Sequence, residues 1–253
     1  MSIPASADKN QSNAQASAAA TAAPVTSDDI PKVFAKLKQQ YESEAKFVPF
    51  ETTSTNPTMI LSKACESFVK KNEKLFAFEI TGSFPASLAE CKSSFLDTTF
   101  LQKMDPSLLS YNLMSQVDDL SGFYYLVMSN PLPFCSDLEI VKLRCIDESN
   151  NKVCIYTSSN FVDPESEANY RKRNNPKNEK RSLVKDILSC LELTQGVSRV
   201  HNNPAKTQPV TNFRFIAFLY LPSPLNHLST ERIARVAQEK LQLGVDYFLR
   251  RLR

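Results

Sequence analysis

Residues 108–162 read LLSYNLMSQVDDLSGFYYLVMSNPLPFCSDLEIVKLRCIDESNNKVCIYTSSNFV, and this stretch decides the fold. Apolar and β-branched runs at 108–117, 122–129, 138–147 and 153–162 are separated by Asp118-Asp119, Asn130-Pro131-Leu132-Pro133 and Glu148-Ser149-Asn150-Asn151. Polar breaks at hairpin-like intervals between such runs predict an antiparallel meander. Beyond a polar connection at 163–181 the pattern resumes at 183–194, 197–201 and 212–221. Downstream, Ser229-Thr230-Glu231 offers an N-cap and a first-turn acid for a long terminal helix, whose Ile233, Ala237, Leu241, Gly244, Val245, Phe248 and Leu252 form one stripe.

Upstream, Leu88, Cys91, Phe95 and Leu96 have helical spacing, Ser83 or Ser87 can cap them, and 97–105 supplies a second short helix. The runs at 59–61 and 75–80 read as strands. Before them, Ser27-Asp28-Asp29-Ile30-Pro31 opens a helix whose Val33, Phe34, Leu37 and Tyr41 share a face. Residues 1–27 are dominated by Ala, Ser, Asn, Gln and Thr, with Ile3 and Val25 as their large aliphatics. Such a segment buries too little to offset its ordering entropy and is expected to be a disordered low-complexity tail.

A helix, two strands, two short helices, a long meander and a long terminal helix make the α+β helix-grip arrangement: a curved antiparallel β-sheet wrapped around the C-terminal α-helix. On that topology several short motifs fall into order. Ser87-Leu88-Ala89-Glu90 through Leu96-Asp97 is similar to a short helix ending in L-x-D. Gln102-Lys103-Met104-Asp105-Pro106 is similar to a K-W-D motif with Met104 in the tryptophan position. Gly122-Phe123-Tyr124-Tyr125, Pro131-Leu132-Pro133 and Ser136-Asp137 are similar to a G-Y-Y … P-x-P … R-D block with Ser136 in the arginine position. Together they resemble the START family of lipid-transfer domains, over about residues 30–253. A divergent, tryptophan-free START-like domain at 28–253 is the expectation. The resemblance implies uptake of one lipid, a sterol or a phospholipid, in an internal hydrophobic cavity gated by the terminal helix, without catalysis and without a cofactor.

Composition agrees with that class. Thirty basic and 27 acidic residues leave a net charge of +3, too little for the continuous phosphate-neutralising field of a nucleic-acid binder. Gly82, Gly122, Gly196 and Gly244 lie tens of residues apart, so no G-x-G-x-x-G, P-loop or G-x-S-x-G elbow can be written. His201 and His227 have no metal-ligand spacing, and both fall in turn-like segments, so no zinc or catalytic site is expected. Six scattered cysteines without C-x-x-C read as packed thiols of a reducing compartment. With no secretory signal and no membrane-length apolar run, a cytoplasmic monomer transiently at membranes is expected.

A lipid cavity needs an apolar and aromatic wall with a few polar groups to fix the head. Alternation places Phe76, Phe78 and Ile80 on one strand face, as it does Tyr111 with Leu113, Ile155 with Thr157, and Phe213, Phe215 and Ala217. The candidate lipid-binding set is therefore Phe76, Phe78, Tyr111, Leu113, Arg144, Ile155, Phe215, Ala237, Leu241, Gly244 and Phe248. The same alternation describes an ordinary filled core. Arg144 enters because it shares a parity with Ile140 and Ile146, and a guanidinium there suits a phosphate or hydroxyl. Lys142 has that parity too, and a surface Arg144 paired with Glu139, Asp147 or Glu148 is the alternative. Residues 171–181 concentrate basic charge. Arg171, Lys172, Arg173, Lys177, Lys180 and Arg181 are the candidate contacts with an anionic membrane, against the alternatives of a solvated loop or a nuclear-localisation cluster. Two further function classes stand beside the lipid carrier: an interaction module whose core fills itself, and an enzyme on the same scaffold.

Overall fold

The computed structural model describes residues 30–44, 47–48, 59–65, 68–70, 73–177, 179–200 and 203–251. The expected 1–27 tail, the Ser27-Asp28-Asp29 cap, His201 and Leu252 lie outside the described residues. The elements in chain order are α1 (Ile30–Glu44), β1 (Phe47–Val48), β2 (Met59–Cys65), β3 (Phe68–Lys70), β4 (Glu73–Phe84), α2 (Leu88–Leu96), α3 (Thr98–Met104), β5 (Leu108–Asp118), β6 (Ser121–Met128), β7 (Leu138–Ser149), β8 (Lys152–Ser158), α4 (Pro164–Asn174), β9 (Ser182–Leu183), β10 (Lys185–Val200), β11 (Asn203–Tyr220) and α5 (Thr230–Arg251). They form one sheet in the order β1-β2-β4-β11-β10-β8-β7-β6-β5, with β3 on β4 and β9 on β7. The β7–β9 pair is parallel and the other pairs antiparallel. This is the helix-grip fold, and α5 lies in the concave face.

Strand alternation sorts the core into two sides. Toward α5 point Phe78, Ile80, Phe84, Ile146, Ile155, Leu193, Phe213 and Ala217. The opposite parity presents Ala77, Cys145, Cys154, Tyr156, Cys190 and Ile216 to α1, whose fully buried Phe34 stacks on Tyr156 at 5.1 Å. Next to it, α4 covers Tyr125, Val127 and Val141 through Tyr170 and the preceding Val162. Cys91, Cys135, Cys145, Cys154 and Cys190 are free thiols.

Three sequence expectations change. The polar connection at 163–181 contains a helix, α4, although none of its side chains is buried. Local signals form it: Asp163 caps Ser166 N–H at 2.8 Å, Pro164 opens the first turn with Glu165 and Glu167, and Arg171, Lys172 and Arg173 close the last. No apolar stripe marks this helix. Residues 185–194 and 197–200 of the two runs belong to one strand, β10, while Leu183 lies in the separate β9. Finally, β11 begins at Asn203 and includes Pro204 and Pro209, which composition assigns to a turn. Pairing with β4 begins only at Thr211, so before that β11 has, among the described residues, β10 as its ladder partner, and an edge tolerates proline.

Candidate functional site

The helix α5 meets the sheet in two different ways along its length. Its C-terminal half closes on solid aromatic packing. Phe84 lies 4.5 Å from Phe213, 5.3 Å from Phe95 and 5.5 Å from Phe248, and Phe100 lies 4.7 Å from Tyr247 and 5.7 Å from Phe248. Gly244 permits this closure, because a Cβ there would come within 2.9 Å of Met104 Sδ and 3.5 Å of Phe84 Cε1. A mid-helix glycine sacrifices about 1 kcal/mol of propensity, and close approach is the reason for it here.

Beneath the N-terminal half, from Arg232 to Leu243, the packing opens into a cavity of about 580 Å³. Its floor is Phe78, Leu138, Ile140, Val184 and Leu219, its roof Ile233, Val236 and Ala237, and its ends the β6–β7 loop (Pro131, Leu132) and the segment before α5 (Leu225, Leu228). One ion pair is set in this wall. Lys240 Nζ lies 2.8 Å from Asp105 Oδ2 and donates to Ser107 Oγ at 2.6 Å, while Ser107 donates to Asp105 Oδ1. The cluster ties α5 to the α3–β5 junction. Burial pushes the Asp105 carboxyl up, but the Lys240 charge and the hydrogen bonds from Lys240 and Ser107 outweigh it and hold the group below its ordinary value. A carboxyl depressed on folding stabilises the fold above the unfolded pKa near 4, and that contribution is lost as pH falls through the folded value. The stability gap between the parent and Lys240→Met, measured by urea unfolding, should therefore narrow below about pH 4. A gap unchanged from pH 7 to strong acid would contradict the assignment.

Of the eleven candidate lipid-binding residues, Phe78 and Ala237 line this cavity. Phe76, Ile155, Leu241, Gly244 and Phe248 are buried away from it, and Phe215 packs half-buried 5.9 Å from the Phe78 ring. Leu113, on the edge strand β5, is 48% exposed. Alternation assigns a face, but whether the space beyond holds a ring or nothing depends on what the opposite helix brings.

Arg144 is buried in the concave face and not on the surface beside Glu139, Asp147 or Glu148. Its guanidinium stacks 4.1 Å from the Tyr124 ring centroid and donates to the hydroxyls of Tyr124 and Tyr111, the latter at 3.3 Å. Among the described residues no carboxylate lies within ion-pair distance of it. Lys142, on the same face between Ile140 and Arg144, lies 3.6 Å from Asp186 Oδ2, which also accepts from Thr157 and, through Oδ1, from Ser189. A polar band thus follows the cavity-lining Leu138 and Ile140 along β7. Sequence reading missed Asp105, Ser107 and Lys240. The signal was there: Lys240 is four residues after Val236, a lone ammonium beside the apolar stripe.

The basic segment divides. Arg171 pairs with Glu139, which is 1% exposed and accepts from Tyr125 at 2.8 Å, and Arg181 donates to Tyr125 at 2.7 Å. These two arginines fasten the segment to the sheet. Lys172, Arg173, Lys177 and Lys180 are exposed.

No helix among the described residues is long and apolar enough to cross a membrane. No family model and no curated protein matches the sequence. Solved structures do match. Human StAR-related lipid transfer protein 5 superposes with a TM-score of 0.59 at 10% identity, over 89% of this chain and 97% of that one. Human STARD10 gives 0.55 at 12% identity over 86% and 79%. The human StarD13 (DLC2) lipid transfer and protein localization domain gives 0.53 at 13% identity over 85% and 93%. The chain has the START fold.

Proposed function

We propose that this protein is a divergent START-type lipid carrier that holds one lipid beneath the N-terminal half of α5 and moves it between membranes without altering it. The cavity carries the reading. At about 580 Å³, it falls in the range of roughly 300–1,000 Å³ that encloses a ligand of drug size. A core filled by its own side chains, as an interaction module requires, leaves no such space, and close packing makes large voids rare. The names of two structural neighbours, human StAR-related lipid transfer protein 5 and the human StarD13 lipid transfer and protein localization domain, point the same way.

A sterol suits the volume, whereas two full acyl chains also require the aromatic end of α5 to be vacated. The sterol hydroxyl meets the Asp105–Ser107–Lys240 cluster, where a neutral ion pair donates and accepts without demanding a charge from the ligand. The second reading is a phospholipid with its phosphate on Arg144, favoured by the missing counter-charge around that guanidinium. Mass spectrometry of lipids retained by the purified protein, with Lys240→Met and Arg144→Met, separates them. Sterol retention lost in Lys240→Met and kept in Arg144→Met supports the first reading, and the reverse pattern with a phosphodiester ligand supports the second. Protein that retains no lipid and loads none from detergent micelles would refute both.

A further inference from the structure

We propose that Cys154 and Cys190 are a peroxide-responsive dithiol site beneath α1, in which Cys154 takes the oxidant's oxygen and Cys190 closes a cross-strand disulfide. The site lies on the face of the sheet opposite α5 and does not depend on the carrier reading.

The ladder register brings the two together. On the adjacent strands β8 and β10, Cys190 stands opposite Tyr156 and Cys154 opposite Glu192, so the cysteines are diagonal neighbours. Both belong to the cluster packed under α1, and diagonal residues on one face of an antiparallel pair lie within mutual reach. Their thiols are hydrogen-bonded, and Tyr156 is a second partner of Cys154. Cys190 Sγ is also 4.0 Å from Glu192 Oε1. Cys145, a further thiol on this face, stands opposite Tyr156 from β7 and is bonded to Ser121. It is two strands from Cys190, about 9.6 Å at the usual strand spacing, which exceeds the ~7 Å between Cα atoms that a disulfide bridges.

The surroundings give the two sulfurs different roles. The hydrogen bond from Cys190 above all, then the Tyr156 hydroxyl and the Lys152 ammonium, lower the Cys154 thiol to about 7 against burial and the Glu192 charge. The same hydrogen bond, with burial, pushes Cys190 up, so it keeps its proton. A thiolate beside a protonated thiol suits attack on a peroxide by the first and resolution by the second. The Cys154 sulfur attacks one oxygen of hydrogen peroxide: an S–O bond forms, the O–O bond breaks, and the departing hydroxide takes from solvent the proton that Cys154 had released. The Cys190 sulfur then attacks the Cys154 sulfur: the S–S bond forms, the S–O bond breaks, and hydroxide leaves as water with the Cys190 proton. The peroxide gains the two electrons that the thiols lose.

Cys154 is 3% exposed and Cys190 fully buried, so the oxidant enters when their cover opens. That cover is α1. Its Phe34 ring lies 5.1 Å from both Tyr156 and Phe161, and Lys38 pairs with Glu192, the residue opposite Cys154. Around Phe34, Val33 and Lys38 are half-buried, and Lys32, Ala35, Lys36 and Gln39 are exposed. An element held by so little buried surface opens ahead of the whole fold.

After the folded protein is treated with an equivalent of hydrogen peroxide, thiol titration in denaturant should find four of the six cysteines, and peptide mass spectrometry should find Cys154 joined to Cys190. A reducing dithiol should restore all six. Cys154→Ser should slow thiol loss at least about tenfold, and Cys190→Ser should leave Cys154 as a sulfenic acid that dimedone traps. Lys38→Met should speed disulfide formation about fivefold, whereas Phe84→Leu, which loosens the opposite face, should leave the rate within about twofold of the parent. Reduced Cys154 and Cys190 in protein whose Cys135 is oxidised, a disulfide through another pair, or a parent-like rate in Cys154→Ser would overturn the proposal. So would a rate in Lys38→Met that equals the parent's or is matched by Phe84→Leu, because the thiols would then not be reached by way of α1.

Discussion

Ala237→Trp should abolish lipid loading while leaving the fold at least as stable as the parent. Ala237 faces Phe78, Leu138 and Ile140 across the cavity of about 580 Å³, and an indole placed there occupies the volume a ligand needs. Adding bulk to a filled core costs about 1–3 kcal/mol, but at the edge of a void the new ring instead buries apolar area. Loading from micelles should fall by at least about tenfold, the equivalent of about 1.4 kcal/mol, with the melting temperature unchanged or raised. Parent-like loading by a folded Ala237→Trp would place the lipid elsewhere. A large drop in melting temperature would show that the space does not exist in solution.

Phe84→Ala should be the most destabilising single truncation. Phe84 is fully buried and contacts rings from three other elements, Phe95 on α2, Phe213 on β11 and Phe248 on α5, so its loss opens the join between helix and sheet. A buried Phe→Ala change costs about 3–5 kcal/mol, which for a domain of this size lowers the melting temperature by about 10 °C. Phe84→Leu, which keeps most of the volume, should cost about 1.5 kcal/mol or less. Near-equal melting temperatures for parent and Phe84→Ala would mean that the aromatic half of α5 does not anchor the helix. The two substitutions should therefore act oppositely: at the hollow half bulk blocks function, and at the solid half its removal costs stability.

That division could not be read from α5 itself. Its stripe from Ile233 to Phe248 is continuous in the sequence, and Gly244 stands out only as a cost in helix propensity. The sheet residues gave a similarly even signal. Phe78 and Ile155 share a face of the sheet, yet Phe78 lines the cavity and Ile155 packs in the filled core. A side chain's parity is a local property, whereas a void is a difference between volumes contributed by β4, β6, β7, β11 and α5 together.

By itself the sequence determined the helix-grip order. Alternating strands, short breaks and a long amphipathic terminal helix are each set by neighbours within a few residues, and together they admit one arrangement that buries both faces. It also determined that Arg144 shares a face with Ile140 and Ile146. Local rules for α4 were present too, in Asp163-Pro164 and the closing Arg171-Lys172-Arg173, though a search for apolar periodicity passes over them. The tertiary structure alone decided that Lys240 meets Asp105, 135 residues away, and that Arg171 meets Glu139. Such pairings depend on where chain segments far apart in sequence come to rest, and no spacing along the chain encodes that distance.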